Sequence, residues 1–153
     1  MEETYELDEV DRHILNMLLE NGRMSYVEMG KEVGMTRVAV SERVKTLQEQ
    51  GVIEGFTVTL NLNKISKPIS AFFNIDVEMN EFEAIAISLA QDPDVLSIYQ
   101  MTGPSTLHVH AALESMEELE KFITARLYSV KGIKKVESQI LLRRFKSRGG
   151  VRP

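Results

Sequence analysis

His108 and His110 stand two apart in an alternating apolar segment, so both rings fall on one face of a strand and could share a metal ion. A stable site needs a third and usually a fourth ligand, and none is evident from spacing. Interfacial packing is the reading preferred here, and no metal is expected. His13, the remaining imidazole, lies on the polar side of a helical run and needs no special role. The chain contains no cysteine, which excludes a thiol nucleophile, a disulfide framework and a Cys-based zinc site. Gly-x-Ser-x-Gly, the phosphate-binding Gly-x-x-x-x-Gly-Lys and a dinucleotide fingerprint are all missing. Glu117 and Glu118 are paired carboxylates, but they open a helix, where the dipole accounts for them. No catalytic residue and no cofactor is therefore expected.

A second group points elsewhere. Arg37, Val38, Ser41, Glu42, Arg43 and Lys45 combine a guanidinium suited to guanine, an aliphatic group suited to a thymine methyl, short polar groups for base edges and cations for phosphates. Such chemistry reads double-stranded DNA only if one helix presents it together. With Val40, Val44 and Leu47 turned inward, about 100° per residue sends Val38, Ser41, Glu42, Lys45 and Glu49 outward. Arg37 then stands at the N-terminal end, which enters the groove in a helix-turn-helix, while Arg43 and Lys45 suit phosphates. Glu42 would repel phosphate, so it either accepts from cytosine or points aside. The alternative is a plain three-helix bundle with a solvated face.

The elements that would position this helix are legible. Asp8 can cap a first helix with Leu7 as a staple, and Val10, Ile14, Met17 and Leu18 repeat until Asn21-Gly22. Ser25 and Glu28 form a capping box for a second helix, whose buried stripe is Tyr26, Met29, Gly30 and Val33 and which Gly34 ends in left-handed backbone. Thr36 then caps the third, which stops at Gly51. Helix, short Gly-containing turn, helix is a DNA-binding signature. Phe56, Val58, Leu60 and Leu62 alternate with polar residues as a half-buried strand does.

The rest reads strand, helix, strand, strand, helix, strand. Ala71 to Met79 alternate, Asn80 and Glu83 form a capping box for a helix ended by Asp92-Pro93, and Val95 to Thr102 and Leu107 to Leu113 are strands. Ser115 and Glu118 cap a second helix running to Gly132, and Val136 to Phe145 is the last strand. This β-α-β-β-α-β order predicts an α+β chain with a ferredoxin-like second domain, an antiparallel sheet with both helices on one face. The uncovered face then carries Phe72, Asn74, Tyr99, Met101, His108, His110 and Leu141. Aromatic and aliphatic groups there mark a subunit contact, a dimer interface. The predicted domains are residues 1–54 for DNA binding, 55–68 as linking strand and linker, 69–146 for oligomerisation and effector, and 147–153 as a flexible basic tail.

Charge distribution supports a local rather than a broad DNA-binding face. The net charge of -5 is the wrong sign for a wholly basic surface. Residues 1–54 carry 6 basic and 12 acidic side chains, 55–142 carry 7 and 11, and 143–153 carry 5 and 0. The tail Arg143-Arg144-Phe145-Lys146-Ser147-Arg148 could add phosphate contacts, although a solvated strand end is the other reading. No apolar run approaches the roughly 18 residues of a membrane span, and Met1-Glu2-Glu3-Thr4 is acidic where a secretory signal is basic. A cytoplasmic protein with no membrane partner is expected.

Leu7-Asp8-Glu9-Val10-Asp11-Arg12-His13-Ile14-Leu15, Asn21-Gly22-Arg23, and Ser41-Glu42-Arg43-Val44-Lys45-Thr46-Leu47-Gln48-Glu49-Gln50-Gly51-Val52-Ile53 resemble the feast/famine regulators, the Lrp/AsnC family. The resemblance covers nearly the whole chain. It implies a winged-type helix-turn-helix followed by a RAM-type module, homodimers that join into octamers, and an amino acid or related effector bound between dimers. The effector region maps to Thr102, Gly103, Ser105 and Thr106. The family's loop there reads Gly-x-x-Asp, whereas this chain has Gly103-Pro104-Ser105-Thr106, so the charge partner for an α-ammonium group is missing. Free α-amino acids are expected to bind weakly or not at all, and a tight turn with no ligand is the alternative. Two further functions fit the same architecture: a nucleoid-like architectural protein, and an enzyme similar to the siroheme decarboxylases using His108 and His110.

Overall fold

A computed structural model describes residues 4–103 and 107–145. The chain divides into a first unit ending at Val58 and a second over Thr59–Phe145.

The first unit is three helices, α1 (Glu9–Glu20), α2 (Tyr26–Val33) and α3 (Arg37–Glu49). Each begins at a side chain that accepts one of the amide protons a helix start leaves unpaired. Asp8 accepts from the Asp11 amide at 2.7 Å, Ser25 from Glu28 at 3.2 Å and Thr36 from Ala39 at 3.2 Å. Glu28 returns the favour, accepting from the Ser25 amide at 2.9 Å. The Asp11 carboxylate likewise accepts from the Asp8 amide, so α1 carries a full capping box in place of the single Asp8 cap expected. Gly34 (φ +67°) and Gly51 (φ +70°) end α2 and follow α3 in left-handed backbone. Ile14, Met29, Val40 and Val44 are fully buried at the centre, ringed by Val10, Met17, Leu18, Tyr26, Val33 and Ile53.

The second unit is a four-stranded sheet in the order β2-β3-β1-β4, every pair antiparallel. Its strands are β1 (Ile69–Val77), β2 (Val95–Gln100), β3 (Leu107–Leu113) and β4 (Ile133–Ile140). Its helices are α4 (Phe82–Ala90) and α5 (Met116–Lys121), the latter widening into a π-helix over Phe122–Leu127. Ala71, Phe73 and Ile75 of β1 and Leu107, Val109 and Ala111 of β3 form one buried cluster with Ile85, Leu89, Leu119, Phe122 and Leu127. Both helices therefore cover the same sheet face, as the element order predicts. Among the described residues no helix is long and apolar enough to cross a membrane.

Three expectations are corrected. Residues 54–61 form no strand, and Phe56, Val58 and Leu60 stay 52%, 76% and 54% exposed, because alternation alone cannot make a strand without a neighbour to accept its ladder bonds. Leu62 instead opens a short 3₁₀ turn, Leu62–Ile65, capped by Asn61. The Asn80/Glu83 box does not form: the turn off β1 bonds the Glu81 amide to the Glu78 carbonyl and puts Glu81 at the cap position before α4, where its side chain makes no capping bond. β4 is shifted toward the N-terminus, since Leu141 donates to Ser70 as the last rung and Pro68 leaves no amide beyond it. Leu142 and Phe145 run past the sheet, 96% and 86% exposed.

Candidate functional site

On α3 the inward stripe Val40, Val44 and Leu47 has no exposed surface, which fixes the opposite side as the presented one. Val38 is 67% exposed there, a large aliphatic group left in water. Arg37, Glu42 and Lys45 are exposed as well and Ser41 is half-buried. Lys45 sits 3.5 Å from Glu49 across one helical turn, a solvated pair of little strength. Arg37 opens α3 and lines an open hollow of about 420 Å³ together with Arg23 and Tyr26. Arg23 was outside the predicted set, although its place in the Asn21-Gly22-Arg23 turn puts a cation on that rim.

Arg43 behaves differently from its neighbours. The expectation that it suits a phosphate meets a competing partner, because its Nη1 donates to Asp8 Oδ2 at 2.6 Å and to Asp11 Oδ1 at 2.7 Å. The Asp11 side chain is only 3% exposed and Arg43 is one-third exposed. The hydrogen bonds it donates to Asp8 and Asp11 raise the guanidinium's pKa above its ordinary value. The Asp8 carboxyl is held below its own, first by the Asp11 amide and then by Arg43.

The uncovered sheet face of the second unit is a stacked polar-aromatic cluster. Phe72 lies between the two histidines, its ring 4.3 Å from His110 at 11° and 5.6 Å from His108 at 28°. His110 Nε2 meets the Ser70 hydroxyl at 2.7 Å, and His108 Nδ1 donates to Asn74 Oδ1 at 2.8 Å. These contacts follow the register, in which Phe72 faces His110 and Asn74 faces His108. Burial, with Arg144 and His108 nearby, pushes the His110 pKa below its ordinary value. Tyr99 on β2 faces His108 and is 58% exposed, and Leu141 is half-buried at the far edge. Among the described residues no third His, Asp or Glu joins the histidines as a metal site. Thr102 and Gly103 (φ +118°) are exposed after β2, while Ser105 and Thr106 lie outside the described residues, as do Lys146, Ser147 and Arg148 of the basic tail.

An ion cluster that spacing did not reveal braces this unit. Arg126, on the π-helix, reaches Asp92 at 3.0 Å and Asp94 at 2.6 Å, and Lys67 also pairs with Asp94. Desolvation of Asp94 is outweighed by these cations, so its pKa falls below the ordinary value. The cluster joins the segment entering β1 to the turn before β2.

Comparison with known proteins gives two matches in order along the chain. Residues 7–48 match the AsnC-type helix-turn-helix domain and residues 70–151 the Lrp/AsnC ligand binding domain. An uncharacterised HTH-type transcriptional regulator of Pyrococcus furiosus is 34% identical over 137 residues, covering 90% of this chain and 92% of that protein. The HTH-type transcriptional regulator Ptr1 of Methanocaldococcus jannaschii is 30% identical over 140 residues, covering 92% and 95%. Among solved structures, a transcriptional regulator of Neisseria meningitidis in complex with L-Met superimposes with a TM-score of 0.90 at 26% identity over 95% of this chain and 96% of that one. AsnC of E. coli has the same fold, with a TM-score of 0.88 at 22% identity over 97% and 100%.

Proposed function

Because the chain belongs to the Lrp/AsnC family of helix-turn-helix transcriptional regulators, we propose that it reads its operator with the outward face of α3. Arg37 bonds guanine, Val38 packs on a thymine methyl, Ser41 and Glu42 meet base edges, and Lys45 neutralises phosphate. The observation that carries this assignment is Val38: a valine two-thirds exposed beside Arg37, at the N-terminal end of a helix whose other side is fully buried. Arg23, on the same rim as Arg37, adds a second cation where a backbone phosphate would pass.

The sheet face around Phe72, Asn74, Tyr99, His108 and Leu141 serves as the contact with a second copy. The exposed alternating segment Phe56 to Leu62 adds to that contact, since a partner could supply the ladder it lacks. A symmetric dimer requires a pseudo-palindromic site with half-sites near a multiple of about 10.5 base pairs. Dimers joining into an octamer extend the same reading, and a cytoplasmic protein accords with DNA as the partner. An effector bound near Thr102, Gly103, Ser105 and Thr106 completes it, differing from a free amino acid in not needing an acid at position 106. The names of the relatives favour a regulator over an architectural protein or a tetrapyrrole-modifying enzyme.

The test begins with genomic-fragment selection to recover an operator, followed by salt-titrated binding of Arg37→Ala and Lys45→Ala to that operator and a scrambled duplex. Arg37→Ala should cost about 1 to 3 kcal/mol on the operator and relax preference at one base pair per half-site. Lys45→Ala should weaken both duplexes alike and lower the salt slope by about one. Unchanged binding in both variants would remove α3 from the interface.

A further inference from the structure

Three apolar side chains, Val40, Val44 and Leu47, seat α3 on the rest of its unit. Such a stripe fixes which side of the helix faces inward, but apolar burial is non-directional and holds the finer rotation about the axis less tightly than hydrogen bonds of fixed direction do. Base readout is far less tolerant. A helix with side chains is about 5 to 6 Å in radius, so a 20° roll carries a side-chain tip about 2 Å. A hydrogen bond to a base edge survives only a few tenths of an ångström of that. Something directional must hold the roll, and Arg43 is placed to do so.

Its Nη1 is shared between Asp8 and Asp11, 35 and 32 residues away, at the first turn of α1. The two carboxylates are themselves aimed by the reciprocal capping box, each accepting the other residue's amide, and the helix dipole favours their charge there. Asp11 is buried, and Arg43 is the cation that its carboxylate meets at 2.7 Å, so removing the arginine breaks a buried pair. Short charge-assisted bonds of fixed direction therefore tie the middle of α3 to the start of α1.

We propose that Asp8, Asp11 and Arg43 form a positioning clamp that sets the roll of α3 on DNA, and that Arg43 supports sequence discrimination without touching phosphate. The proposal rests on α3 being the reading helix. It is the reverse of what the arginine's place between Glu42 and Lys45 suggests, since an unpaired arginine there would lend affinity without specificity.

Competition binding of the full chain to operator and scrambled duplex, repeated across a salt titration, tests it with Arg43→Gln, Asp11→Asn and the double variant. Arg43→Gln should lower operator affinity by about tenfold or more, leave scrambled binding within about twofold, and keep the wild-type salt slope. Asp11→Asn should reproduce that loss, and the double variant should be no worse than either single one, because both break one device. Equal losses on both duplexes with a slope lower by about one would make Arg43 a phosphate contact and overturn the clamp. Additive losses in the double variant would overturn it as well. Should the buried-pair variants fail to fold, Asp8→Asn keeps the question open to measurement, because asparagine caps a helix as well as aspartate while weakening the bond to Arg43. It should lower the operator-to-scrambled ratio by a few-fold, and an unchanged ratio refutes the clamp. Failure of the underlying reading looks different: Arg37→Ala and Lys45→Ala would then leave binding untouched, whereas failure of the clamp alone leaves both of their effects intact.

Discussion

Gly30 is where the packing of the helix-turn-helix can be tested most sharply, because two opposing effects predict opposite signs. It lies inside α2 with no special backbone requirement, and in an isolated helix alanine would be preferred there by about 1 kcal/mol. A Cβ at this position would stand 2.5 Å from the Met35 carbonyl oxygen and 3.6 Å from the Thr36 carbonyl carbon. Carbon and oxygen come no closer than about 3.2 Å without strain, so the turn must retreat by about 0.7 Å. The obstacle is backbone and cannot rotate away. Met35 donates to the Gly30 carbonyl at 2.8 Å, and the next residue, Thr36, caps α3, so the retreat stretches that bond and shifts the start of the reading helix. Overpacking of this kind costs about 1 to 3 kcal/mol, and the rigid neighbour places it toward the upper end. Steric cost exceeds propensity, and Gly30→Ala should destabilise by about 1 to 2 kcal/mol net. Urea unfolding of the full chain at fixed concentration, followed by helical circular dichroism, should show a midpoint lower by about 0.5 to 1 M. A midpoint at or above the wild type would show that the turn yields freely and that the close approach does not restrict residue 30.

Phe72→Glu should bury a carboxylate in the proposed sheet-face contact at a cost of several kcal/mol and convert assemblies to monomers, and an unchanged mass in light scattering would place the interface elsewhere. The fold of the second unit should itself weaken in acid. His110 titrates below its ordinary value, so its neutral form is the one the folded face favours; the associated stability is complete above about pH 6.5 and declines as pH falls from there toward the lowered value. Urea midpoints at pH 8 and pH 5.5 should differ more in the wild type than in His110→Gln; an equal difference in both would refute it. Calorimetric titration with L-Met and the other free α-amino acids should detect no micromolar binding, given Thr106 where the family carries an acid. A micromolar constant for any of them would mean that another group holds the ammonium.

The features readable from sequence were those that interactions within a few residues decide. Ser25 and Glu28 are three apart and bond each other; Gly34 is where the backbone turns left-handed; Val40, Val44 and Leu47 repeat at the helical period and are buried. Alternation in β1 and β3 placed Phe73 and Val109 inside and Phe72 and His108 outside, because a strand's faces follow from parity once it has neighbours. The same alternation misled at Phe56 to Leu62, which pairs with no strand among the described residues, and the Asn80/Glu83 signature lost to the path of the turn leaving β1.

Sequence by itself therefore determined the family, the β-α-β-β-α-β order of the second unit, the starts of α1, α2, α3 and α5 and the inward stripes, features legible from motif, from contacts three or four residues apart or from strand parity. It could not assign Arg43, because in composition and spacing an arginine that meets phosphate and one that meets a carboxylate are alike. Only the fold brings Asp8 and Asp11 to it from 35 and 32 residues away, the contacts on which the proposed clamp rests. The same holds for Arg126 with Asp92 and Asp94, and for the 2.5 Å approach that restricts residue 30 to glycine. Charge pairs and close backbone approaches depend on distance in space, and distance in space is set by how whole elements pack.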